Sequence, residues 1–463
     1  MCSISLYFQK LNDIIRKYSL IVTLIILILY FLFAFLLERA SFYSLLALWS
    51  SLFAGSYLLF RSQKENFRFL CGVSILFRLV FLFAIPNLSQ DFYRFIWDGR
   101  MLFEGFNPYL SLPEAFIEMG KQPINEATEL YKGMGEMNGS HFTNYPPINQ
   151  LCFYIAALLG NHSIFISIAV MHIIIIVADL GILLYGKKLL KLLELPISNI
   201  FFYILNPFVI IELTGNLHFE PVMLFFLVFS LYKLAKNKWI IAAISLAFSI
   251  SVKLIPLLLL PIIFNYFVNK KMSFFNGMKK LIAFYTLVLL TLIITFNPFI
   301  SNDFFANYIN SIGLWFRSFE FNASFYYFAR EIGYLFRGYN EIAIIGKIMP
   351  LIATSFIICI TFFRKNEGLQ ELITAMLLSL SFYYLTSTTV HPWYLATLVC
   401  LSCFTKYRFS VAWSFLIVLS YQAYSNTPWK ENLWIIFIEY IVVFVIISYE
   451  LKFIKTNLKI NLN

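Results

Sequence analysis

The segment DFYRFIWDGRMLFEGFNPY, residues 91–109, follows three strongly apolar runs and is the first polar and charged stretch of the chain. It sits where a membrane span should meet water. Residues three, four and seven apart share one face of a helix, so a helix starting at Asp91 would present Asp91, Arg94 and Asp98 together, ringed by Phe92, Phe95, Ile96 and Trp97. Such a charged stripe suits a helix lying at a bilayer surface, and in the plainest case Asp91 and Arg94 simply pair. Gly99, Gly105, Asn107 and Pro108 predict that the helix ends in a turn instead of continuing as a span.

Outward from this segment the chain is apolar almost everywhere. Of its 463 residues 60% are hydrophobic and only 13% charged, against roughly a quarter charged in soluble globular domains. Apolar runs recur from Ser19 to Ser448, many near the ~20 residues a helix needs to cross hydrocarbon. They are solid runs without strand-like alternation, which excludes a barrel. The sequence therefore predicts an all-α polytopic membrane protein with about 12–14 transmembrane helices, read as a single integral membrane domain over residues 1–463. A net charge of +11 would suggest nucleic acid in a soluble protein. Here Lys and Arg gather in short connections between apolar runs, so topology accounts for them and no nucleic-acid partner is expected.

Lys10, Arg16 and Lys17 place the N-terminus in the cytoplasm. The first run, Ser19 to Leu37, ends without a small-residue cleavage site and is expected to be a retained signal anchor. Alternation of basic connections then puts two long segments outside, residues 86–146 and 297–340, and both termini inside. This orientation requires Pro146 to Leu159 to be a short re-entrant or surface helix. It also requires the run from Trp239 to Phe264 to break at Pro256, leaving Lys253 at the outer turn. Asp91, the corner from Glu212 to Pro221, Lys253 and His391 all fall on that external face.

Each of these groups has an ordinary explanation as well as a chemical one. Lys253, flanked by apolar residues, is either snorkelling or holding an anion. Asn216, His218 and Glu220 crowd a hairpin tip more polar than a turn requires. His391 leads into Trp393 and Tyr394, residues that also belong in an interfacial aromatic belt. No phosphate-binding glycine loop, zinc-protease motif, nucleophile elbow or paired CxxC occurs, and the six cysteines are read as packing.

Taken in order, Asp91 to Arg94, Trp97 to Gly99, Gly105 to Tyr109, Tyr145 to Pro147, Asn206-Pro207, Gly215 to His218, Val252-Lys253 and His391 to Tyr394 resemble the polytopic GT-C glycosyltransferases. The likeness is to bacterial polyprenyl-phosphate-mannose-dependent mannosyltransferases and, more distantly, to the catalytic subunit of the first GPI mannosyltransferase. It extends over roughly residues 69–268. The resemblance implies a helical membrane fold with external loop helices and a polyprenyl-phosphate sugar as donor. It implies a glycan or lipid acceptor and an active site on the external face of a bacterial inner membrane. Asp91 matches the catalytic base. Arg94, Lys253, His218, His391 and Tyr394 are then expected at the donor phosphate or sugar, with Tyr93, Asp98, Asn216 and Glu220 near the acceptor or behind these groups. Tyr93 stands where a second carboxylate of a DxD pair would be, so no cofactor and no metal are predicted, although a divalent ion stays open. The function expected is hexosyl transfer, mannose by analogy, with inversion. The rival is a flippase or transporter of lipid-linked glycans.

Overall fold

The computed structural model describes residues 13–160, 162–269, 273–317 and 319–460. Lys10, Lys270 and Lys271, on which part of the predicted orientation rests, lie outside the described residues. Apart from one isolated bridge between Phe321 and Thr389, the described residues form helices and turns. Those of eight residues or more include α1 (Ser19–Leu36), α2 (Phe42–Gln63), α3 (Phe67–Leu79), α4 (Asp91–Phe103), α5 (Ala127–Gly139), α6 (Pro147–Gly160), α7 (Ile164–Leu192), α8 (Glu220–Ala235) and α9 (Trp239–Val252). They continue with α10 (Phe274–Phe296), α11 (Phe304–Arg317), α12 (Phe325–Arg337), α13 (Ile342–Phe363), α14 (Leu369–Thr386), α15 (Phe409–Leu416) and α16 (Leu433–Ile460).

Six of these are long and apolar enough to cross a bilayer, namely α1, α2, α7, α10, α13 and α16; a seventh arises if Ile197–Ile204 and Val209–Gly215, bent by 58°, form one broken span. The protein is thus an all-α, multi-pass membrane protein. Several other apolar runs become shorter helices, among them α6 and α9. Their hydrophobicity serves packing inside the protein: α8 lies between α7 and α9, and α6 packs on α4 and α7.

The helix α4 starts and ends where its sequence directs. Asp91 occupies the first turn and Arg100 the last, matching the helix dipole at both ends. Past the helix, Gly105 takes φ +80° while Phe106 N–H donates to Met101 O at 2.8 Å, a left-handed turn that glycine adopts without strain. The surface position expected for α4 is not observed. Phe92 and the whole run from Arg94 to Met101 are buried, because α5 and α6 both pack on it. Gly99 permits the closest approach: a Cβ there would lie 2.2 Å from Phe153 O, and the Phe95 and Phe153 rings stack at 4.7 Å with an interplanar angle of 7°.

The predicted break near Pro256 is present, and it begins at Lys253, which is extended at φ −146°, ψ 144° after the last turn of α9. Short 3-10 turns over Ile255–Leu259 and Pro261–Ile263 carry the chain onward. A further irregularity marks the polar corner, where Val209–Gly215 forms a π-helical turn, a form that is rare and concentrated at functional sites.

Candidate active site

A cavity of about 670 Å³ gathers the cationic and aromatic residues that the sequence scatters. Asp91, His218, Lys253, His391 and Tyr394 line it together with Arg39, Tyr145, Trp393 and Tyr424. Its wall then becomes apolar along Leu254, Leu257 and Leu258 of the broken segment and Ala353 and Ile357 of α13.

Asp91 reaches the cavity from the first turn of α4. Its carboxylate accepts a bond from Asn138 Nδ2 at 3.4 Å, and its N–H donates to Ser89 Oγ at 3.3 Å. Burial pushes the carboxyl above its ordinary range, while Lys253, the Asn138 bond and Arg39 restrain the shift. A carboxylate so placed is a stronger base than a free aspartate. Asn216 sits one layer behind it. It is fully buried and accepts from Leu88 N–H at 2.8 Å, which ties the approach to Asp91 onto the polar corner.

Lys253 forms an ion pair with Glu220, Nζ to Oε1 at 2.5 Å. The break in the helix explains how: leaving α9 at Lys253 turns its side chain toward the first turn of α8, where Glu220 sits. The two histidines flank one indole. Trp393 lies 3.7 Å from the His218 ring at 17° and 4.5 Å from the His391 ring at 4°, so three rings form one flat stack. Burial, aided by Lys253, holds His218 well below its ordinary range. Burial, aided by Arg39 and Lys253, brings His391 down to about 3. Both imidazoles are neutral near pH 7, so they can donate or accept hydrogen bonds but supply no charge.

Three expected residues stand elsewhere. Arg94 is buried and bonds Asp98 Oδ1 through Nε at 2.8 Å, with Nη1 donating to Asn138 O at 2.5 Å and His141 O at 2.9 Å. Its guanidinium pins the segment carrying Asn138, and it does not line the cavity. Asp98 is occupied by Arg94 and by Gln150 Nε2 at 3.1 Å. The expected stripe therefore resolves into an Arg94–Asp98 pair that leaves Asp91 to the cavity. Tyr93 also faces away, its ring lying where a Cβ on Gly133 of α5 would be, at 2.6 Å.

Arg39, in the connection between α1 and α2, was not singled out by its sequence. Its guanidinium lies 3.3 Å from the Tyr424 ring centroid. Among the described residues no three His, Cys, Asp or Glu side chains converge in a group that could hold a metal ion.

The comparison with known families decides the class. The family model for the alpha-(1->6)-mannopyranosyltransferase N-terminal domain, MptA_B, matches residues 22–269, more than half of the chain. The chain belongs to this family. It is a glycosyltransferase, and mannosyl transfer is the family's activity, which displaces the flippase alternative. A search of curated proteins found no match. The matched part of this mannosyltransferase includes Arg39, Asp91, Tyr145, His218, Glu220 and Lys253, whereas His391, Trp393, Tyr394 and Tyr424 complete the cavity from beyond it.

Proposed function

We propose that the protein transfers mannose from a polyprenyl-phosphate carrier to a hydroxyl of a glycan or lipid acceptor, at the external face of a bacterial inner membrane. One observation supports this most: a single cavity has a charged, aromatic end and an apolar wall that reaches α13, a helix suited to cross the bilayer. A sugar phosphate fits the first and an isoprenoid chain the second. Charged and polar residues converging in such a cavity favour a site for a lipid-borne, charged substrate over simple packing.

In the transfer, the acceptor hydroxyl oxygen attacks the anomeric carbon of mannose and its proton passes to Asp91. The bond from that carbon to the phosphate oxygen breaks, and polyprenyl phosphate leaves with the electron pair. The leaving group is already stable as an anion, so the protein's tasks are the base, positioning and charge compensation. With one carboxylate acting as base and no covalent intermediate, a single displacement inverts the anomeric centre. An alpha product then requires a beta-linked donor. Glu220, neutralised by Lys253, is the rival base.

The test is transfer of labelled mannose from polyprenyl-phosphate mannose by the purified protein, beside Asp91→Asn. The variant should keep its melting temperature and lose about 10²–10⁴-fold in kcat. Retained turnover would reassign the base, and hydrolysis or transfer by neither protein across a panel of such donors would sink the donor. A single cysteine at Gln122, which is exposed, should react with an impermeant thiol reagent from outside intact cells.

A further inference from the structure

We infer that Arg39 is the anchor for the donor's phosphate, and that Lys253, the cation expected in that role, instead serves the base; this rests on the phosphate-linked donor proposed above. The charges at the polar end of the cavity divide unequally. Lys253 is taken up by Glu220, and its remaining influence falls on Asp91, whose carboxylate it stabilises. Two carboxylates thus face one ammonium. An incoming phosphate would meet net repulsion from these three groups alone. His218 and His391 stay neutral and cannot correct the imbalance.

Arg39 can. It lines the same cavity, and among the described residues no carboxylate lies within ion-pair distance of it. Its Nε is buried and makes no hydrogen bond. The face of the guanidinium is held on Tyr424, which fixes the plane and leaves the edge, where the N–H groups are, for a ligand. A planar fork presented edge-on is the geometry that binds phosphate oxygens in pairs. A partly buried guanidinium without a paired anion is costly to maintain, and Asp91, the carboxylate lining the same cavity, acts on it only from beyond ion-pair distance. Tyr424 thus acts as a positioning residue through Arg39.

The experiment uses the full-length protein in detergent and two probes, farnesyl phosphate and the uncharged farnesol. Parent protein should bind farnesyl phosphate more tightly than farnesol. Arg39→Gln should weaken the phosphate probe about 10–100-fold, the value of a charge-assisted hydrogen bond or two, and leave farnesol unchanged. In turnover, Arg39→Gln should raise the donor KM more than it lowers kcat, the reverse of Asp91→Asn. Phenylglyoxal labelling of the unmodified protein needs no variant to fold: farnesyl phosphate should slow modification of Arg39, read by mass spectrometry, and farnesol should not. Preference for the phosphate in the parent with unchanged binding by Arg39→Gln, or labelling of Arg39 unaffected by the phosphate, would overturn the assignment while leaving the donor intact. A parent that does not distinguish the two probes would overturn both.

Discussion

Replacing Gly99 by alanine tests whether the contact between α4 and α6 sets the position of Asp91, the proposed base. The added Cβ would lie 2.2 Å from Phe153 O and 2.6 Å from Phe153 C, where ordinary contact begins at 3.4 Å. Both obstructing atoms are backbone, so no side chain can swing aside, and the helices must part by about 1 Å. Overpacking of this kind costs about 1–3 kcal/mol, with rigid helix backbones toward the upper figure. Asp91 rides on α4 and Lys253 does not, so the same displacement separates base from cation. A shift of about 1 Å in a reacting group lowers rate on the order of 10²-fold. Gly72→Ala in α3 is the matched control, since nothing lies within 4 Å of the Cβ it would gain. Melting in detergent and mannosyl transfer should both fall for Gly99→Ala and neither for Gly72→Ala. Unchanged transfer by a Gly99→Ala protein that also melts normally would refute the idea that this packing locates Asp91.

The remaining expectations concern charge and order at the site. With Asp91 as the proposed base, activity should rise with pH through the carboxyl's elevated titration; because Lys253 holds that titration down, Lys253→Met combined with Glu220→Gln should move the acidic limb of the rate profile to higher pH. Lys253→Met alone should be less stable by about 3–5 kcal/mol, because it leaves Glu220 buried and unpaired, and melting would show whether the double variant recovers this. The buried Asn322 side chain donates through Nδ2 to Glu439 Oε1 at 3.3 Å, and the neighbouring Phe321 stacks on His391 at 5.2 Å. Asn322→Ala should therefore cost about 1–3 kcal/mol, from the buried Glu439 carboxylate that loses its Asn322 donor, and raise KM; a variant with parental melting and kinetics would show that this loop does not position His391.

The start of α4, the break before Pro256 and the polar corner were legible in the sequence because each is decided locally, by helix periodicity, proline or the polarity of a turn. The partner of Arg94 was not. Asp91 and Asp98 are both within its reach along one helix, and the choice is made by carbonyls of Asn138 and His141 that arrive from another segment. Arg39 was hidden for a similar reason: nothing near it in sequence is chemically distinctive, and only tertiary packing places it on Tyr424. The number of spans was obscured by hydropathy itself, which cannot separate an apolar helix facing lipid from one such as α8, enclosed by α7 and α9.

The stack of His218, Trp393 and His391 joins residues on either side of the point where the family match ends. His218 belongs to the matched part, with Asp91, Arg39 and Lys253, while Trp393 and His391 lie beyond residue 269. A fragment ending at residue 269 would keep its charged groups but lose the indole that covers one face of His218. The charged groups and the aromatic wall thus come from separate stretches of the chain, with the indole as the point where each must fit the other. Chimaeras between relatives should accordingly succeed or fail on that three-ring contact before any difference in acceptor is felt.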